Sequence, residues 1–176
     1  VRTLRSVIDD GLDDYAALFV PGGQAPVVDL MQDESLGEIL RFFHSRGKPT
    51  ALLCHGPIAI ASAIPATKAF RAALIAGNLA EATALASGWA YAGYRMTVFS
   101  ETEEKVIEDY ILHAKLYFDM PAALGAAGGV VVNTKVDFEP NVVEDRELIT
   151  GQNPRSDHGV AAALLRMLAR NARAAA

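Results

Sequence analysis

The chain has a single cysteine, Cys54, in 176 residues. No internal disulfide can form, which fits a reducing compartment and leaves the thiol free for chemistry. Positive charge is also scarce. Sixteen Lys and Arg against 21 Asp and Glu give a formal net charge of -5, so no nucleic-acid partner is expected of a chain without a basic excess. The four histidines are scattered and no Cys/His spacing suits zinc, so no metal and no other cofactor is expected. Neither a phosphate-binding loop nor a dinucleotide fingerprint occurs. No apolar run is long enough to span a bilayer and no signal peptide is visible, which favours the cytoplasm and no membrane partner. Internal repeats are missing, and the only low-complexity stretch is the Ala/Arg tail.

What the chain does have is apolar bulk: 51% of its residues are hydrophobic, enough for one domain with a substantial core. It is organised around Pro49-Thr50-Ala51-Leu52-Leu53-Cys54-His55-Gly56-Pro57. Small and apolar residues run up to the cysteine as a buried strand. His55, Gly56 and Pro57 are poor strand continuers, and Pro57 suits the first turn of a helix over Gly56–Ala63. A strand that ends on a nucleophile where a helix begins is a nucleophile elbow, here with Cys in place of Ser. Free N–H groups at the helix start would favour the thiolate. The alternative is an inert core thiol, since free Cys packs as a small hydrophobe.

Residues 1–14 read as an irregular or partly helical lead-in, and Tyr15–Val20 as a strand buried on both faces. Pro21-Gly22-Gly23-Gln24 breaks that strand. It is either a plain turn or a site where the Gly23 amide joins that of His55 in an oxyanion hole. Ser35–Arg46 shows a helical stripe of Leu36, Ile39, Leu40 and Phe43, with Gly47 as its stop. Residues 65–93 are Ala-rich and read as a small helical insertion. Its Trp89 and Tyr91, with Tyr94 just beyond, either line a pocket or pack the insertion down.

Arg95–Phe99 reads as a strand. Ser100 and Glu103 form a capping-box signature for a helix running to about His113, and one carboxylate of the acidic cluster could orient His55. His113 and His44 read as solvated or capping histidines. A short helix over Met120–Ala126, a strand over Val130–Val132 and a hairpin of Val142-Val143 with Leu148-Ile149-Thr150 follow. Ser156 caps the last helix, with His158 on its surface. The chain opens on Val1 rather than Met, and no strand precedes the one ending in Pro-Gly-Gly, so the beginning of the sheet is expected to be missing.

Phe19-Val20-Pro21-Gly22-Gly23, Leu53-Cys54-His55-Gly56-Pro57 and Leu148-Ile149-Thr150-Gly151-Gln152-Asn153-Pro154 together resemble the ThiJ/PfpI superfamily. The branch they are most similar to holds heat-shock chaperones and glyoxalase III. The resemblance implies a class I glutamine amidotransferase-like (flavodoxin-like) fold: a three-layer α/β/α sandwich with a mostly parallel sheet, here one domain over 1–176. It implies Cys54 as nucleophile and His55 as its partner. The third acid falls best on Glu104, with Glu103 as fallback. The amides of Gly23 and His55 match the oxyanion positions, and Gln24, Trp89 and Glu103 are candidate pocket residues. A glutamate that the family carries upstream of the Pro-Gly-Gly strand has no match in residues 1–14.

The implied reaction is glutathione-independent conversion of methylglyoxal to lactate on a small aldehyde or dicarbonyl, with protein deglycase or chaperone activity as a companion and a homodimer as the assembly. Two further classes fit the same residues: a redox-responsive chaperone with little turnover, and a cysteine hydrolase or amidase.

Overall fold

In the computed structural model, residues 1–174 are described. Three strands of the main sheet run parallel: β1 (Leu18–Val20) at one edge, then β2 (Thr50–Leu53) and β6 (Leu148–Gly151). β1 pairs with β2 and β2 with β6, setting Ala51 opposite both Phe19 and Ile149. β5 (Val142–Asp145) adds an antiparallel edge through the hairpin read from the sequence. β3 (Arg95–Met96) and β4 (Val130–Val131) form a separate parallel pair.

Helices cover both faces, as the apolar runs of a mostly parallel sheet require. Side chains alternate along β2. Ala51 faces the terminal helix α8 (Asp157–Ala174), against Val160, Ala163 and Met167. Leu52 points the other way, into the main core with Val20, Val27, Met31, Leu40 and Ile58. Full burial of a side chain such as Leu52 stabilises the fold by about 1.5–3 kcal/mol. Asp33 caps α3 (Glu34–Ser45), accepting from the Leu36 amide at 2.7 Å. Gly37 lets α3 sit against the segment after β2, because a Cβ there would lie 2.1 Å from the Ser62 carbonyl oxygen.

The lead-in carries α1 (Leu4–Asp10), and α2 (Ala25–Val28) follows the Pro-Gly-Gly turn. The 65–93 insertion forms α4 (Thr67–Ile75) and α5 (Leu79–Leu85), and its Phe70, Leu74, Ala82 and Trp89 join the main core. α7 spans Met120–Ala126, as the sequence predicts.

Several expectations are corrected. The strand over Tyr15–Val20 shrinks to Leu18–Val20, and its Phe19 is 49% exposed: at the sheet's edge one face goes uncovered. The helix expected over Gly56–Ala63 is present with those bounds, wound as a 3₁₀ run. The strand over Arg95–Phe99 stops at Met96, because the next amides bond elsewhere. Thr97 N–H donates to Thr150 Oγ1, Val98 N–H to Asn133 Oδ1, and Phe99 N–H to the Cys54 carbonyl. The helix expected to reach His113 is α6 (Glu101–Ile107), followed by a wider π-helical turn, Glu108–Leu112. His44 is not a solvated cap: its Nδ1 lies 2.8 Å from Glu147 Oε1 and 3.2 Å from the Tyr94 hydroxyl. Asn153 caps a 3₁₀ turn, Pro154–Ser156, that leads into α8, and Ser156 directly precedes that helix.

Candidate active site

β2 runs directly into Cys54, whose φ of +63° puts a non-glycine residue in the left-handed region. Such a conformation costs on the order of 1–3 kcal/mol and persists only where surroundings enforce it. Here both peptide groups of the residue are pinned. The Cys54 amide donates to the Gly151 carbonyl at 2.8 Å, and its carbonyl accepts from the Phe99 amide at 3.0 Å. The sharp turn brings the neighbouring imidazole back over the sulfur, with His55 Nδ1 3.1 Å from Sγ.

On its far side His55 Nε2 lies 2.6 Å from Glu104 Oε2. The ring is stacked on Phe99, with centroids 4.6 Å apart. Burial alone would lower the pKa of His55. Hydrogen bonds to Cys54 and Glu104, with the charges of both, outweigh it and raise the value to about 9. The arrangement therefore favours imidazolium, flanked by sulfur and carboxylate, at neutral pH.

The Pro-Gly-Gly turn closes over the sulfur. A Cβ on Gly22 would lie 2.6 Å from Cys54 Cβ and 3.3 Å from Sγ, so only glycine fits. With the turn over it, Cys54 is 8% exposed. Gly23 adopts φ +93°. Among the described residues, the amides of Gly23 and His55 donate to no other group. Gln24 lies beside the imidazole, its Nε2 3.4 Å from His55 Nε2.

Two candidates fall elsewhere. Trp89 is 3% exposed, donates its indole N–H to the Ile60 carbonyl at 3.0 Å and packs on Tyr91; it is core, not pocket wall. Glu103 is fully buried and faces away from His55. Its carboxylate accepts from the amides of Ser100 and Phe138 and from the side chains of Gln152 and Asn153. Consecutive helical residues point about 100° apart, so only one of the two glutamates can face the imidazole.

Gly22 and Phe99 were not among the site residues read from the sequence, although Gly22 sits inside the Phe19–Gly23 motif and Phe99 ends the strand read over Arg95–Phe99. The signal was there for Gly22, the other member of a glycine pair after a buried strand. A cleft of about 310 Å³ opens beside Glu104, lined by Phe99, Lys105, Leu116 and Phe118 among others. No three His, Cys, Asp or Glu side chains among the described residues are grouped as a metal would need.

The sequence profile of the DJ-1/PfpI family matches residues 3–167. The chain belongs to the DJ-1/PfpI family. Among its relatives, the protein/nucleic acid deglycase HchA of Staphylococcus aureus is 30% identical over 158 residues, covering 87% of this chain and 47% of that protein. The chain thus spans about half the length of the curated relatives it matches. Similar folds include the Francisella tularensis Rapid Encystment Protein 24 kDa, at TM-score 0.71 and 21% identity over 95% of this chain and 63% of that one. Glyoxalase III of Candida albicans follows at TM-score 0.66 and 19% identity, over 89% and 59%. These likenesses establish the DJ-1/PfpI fold, an α/β sandwich with a mostly parallel sheet. No described helix is long and apolar enough to cross a membrane.

Proposed function

We propose that this chain carries cysteine-dependent chemistry of the glyoxalase or deglycase type on a small reactive carbonyl, with Cys54 as nucleophile. The observation that carries the reading is the unbroken relay from Sγ through His55 to Glu104, at 3.1 Å and 2.6 Å. The name of the S. aureus relatives supports the same class of activity.

For methylglyoxal, the Cys54 thiolate adds to the aldehyde carbon and the carbonyl oxygen takes up a proton, giving a hemithioacetal. Removal of the proton on that carbon gives an enediol, and reprotonation at the neighbouring carbon leaves a lactoyl thioester. Water cleaves it, releasing lactate and the thiol. The sum is methylglyoxal plus one water giving lactic acid. His55 is the group placed to move protons at the sulfur, and Glu104 holds its ring in one orientation. The free amides of Gly23 and His55 are the donors available to an oxyanion, where one donor typically contributes about 10²–10³ in rate.

The test is lactate formation from methylglyoxal without glutathione, alongside repair of glycated amino acids and nucleotides. The nucleotides belong there because the relatives carry nucleic acid in their name, although a net charge of -5 argues against a nucleic-acid partner. Cys54→Ala should abolish turnover; an unchanged rate refutes the reading. An acyl adduct on Cys54 from an ester or amide, without dicarbonyl turnover, would favour the hydrolase instead.

A further inference from the structure

The Thr-Gly-Gln-Asn motif at the carboxyl end of β6 contributes no side chain to the relay, yet it holds the most heavily bonded carboxylate in the site's surroundings. Glu103 is fully buried, with no cation among its hydrogen-bond partners. Oε2 accepts from Ser100 N at 2.9 Å and Gln152 Nε2 at 3.1 Å. Oε1 accepts from Phe138 N at 2.7 Å and Asn153 Nδ2 at 2.8 Å. Four neutral donors thus stand in for water, which a buried anion requires.

The donors are themselves fixed. Gln152 Oε1 accepts from Thr134 N at 2.8 Å and Asn141 Nδ2 at 3.1 Å. Asn153 Nδ2 also donates to the Glu139 carbonyl at 2.8 Å. The network ties the third residue of α6 to the carboxyl end of β6. Glu104 is the fourth residue of α6, and its Oε1 has no hydrogen-bond partner among the described residues. Its grip on His55 therefore rests on Oε2 alone, and its aim depends on how the start of α6 is held.

We propose that Gln152 and Asn153 are positioning residues that act through Glu103 to set the first turn of α6, so that Glu104 meets His55. This inference rests on the same relay as the proposed function but not on its substrate. Removing the clasp lets the helix start shift, and a shift of about 1 Å breaks the single bond at Nε2.

The test is an NMR titration of the His55 imidazole in the full chain, which reads the relay without turnover. Glu104→Ala should lower the midpoint from about 9 toward the ordinary histidine value. Gln152→Met, which keeps length but removes the donor, should lower it in the same direction, and should add no further shift in the Glu104→Ala background. Gln152→Glu, which sets a carboxylate against Glu103, should act alike. An unchanged midpoint in folded Gln152→Met, or an equal shift with and without Glu104, would overturn the proposal. So would failure of both Gln152 variants to fold, since the clasp would then determine the fold rather than aim a side chain. A chain that turns over no dicarbonyl but shows these shifts leaves the clasp standing and removes only the enzymatic reading.

Discussion

Cys54 Sγ and His55 Nδ1 lie 3.1 Å apart although the two residues are adjacent in sequence. Neighbouring side chains on a strand point to opposite faces, so this contact exists only because Cys54 leaves the strand with φ +63°. The strain on one residue gives the sulfur a partner that a straight β2 would have turned away from it.

Glu104→Gln keeps the shape of the side chain and removes its charge. The variant should fold normally and lose about 10²–10⁴ in kcat, the range assigned to groups that orient or transfer a proton. Steady-state rates with methylglyoxal and a melting curve check this. An unchanged kcat at unchanged Tm would remove Glu104 from the relay.

Stability should fall as pH rises from about 6.5 to about 9. His55 is raised to about 9 in the fold against an ordinary 6.5, so its contribution is complete below the unfolded value and is lost as pH climbs through the folded one. The loss is on the order of a few kcal/mol. Urea unfolding of the native chain and of His55→Asn at several pH values measures it. The fall with pH should be smaller in the variant.

Gly22→Ala should destabilise the fold by about 1–3 kcal/mol, the usual cost of overpacking. The added Cβ would meet Cys54 Cβ at 2.6 Å and the Leu53 carbonyl oxygen at 3.0 Å, neither of which moves without the backbone. The turn must lift from the sulfur, so turnover should fall as well. Chemical denaturation and the methylglyoxal assay check both, and a variant as stable as the native chain would deny the close approach.

Trp89→Phe separates packing from recognition. The indole donates to the Ile60 carbonyl at 3.0 Å from a fully packed position, so its loss should cost about 1–3 kcal/mol by leaving that carbonyl unsatisfied. Neither kcat nor KM should change, because Trp89 does not border the thiol. A changed KM would return Trp89 to the substrate's surroundings.

Much of the fold was legible because its signals are local. Pro57 and Gly56 end β2 at the cysteine. Ser100 and Glu103 form the capping box at the start of α6. The apolar pairs flanking Glu144–Glu147 close as the β5–β6 hairpin. Signals that depend on neighbours were less legible. Phe19 reads as buried until its strand proves to be an edge. Thr97–Phe99 reads as strand until its amides are seen to bond side chains and Cys54 instead of a ladder. His44 reads as a surface cap until Glu147, 103 residues away, is found beside it.

The sequence by itself determined where the thiol, the turns and the helix starts would fall, because backbone preference and hydrophobic period act over a few residues. Its local pattern left the acidic cluster open and only the family resemblance favoured Glu104 over Glu103; nor did it show that Gly22 rather than Gly23 must lack a side chain against the sulfur. Those outcomes depend on which direction each residue of α6 faces and on how closely two loops approach. Both are set by packing between segments that the chain itself keeps far apart.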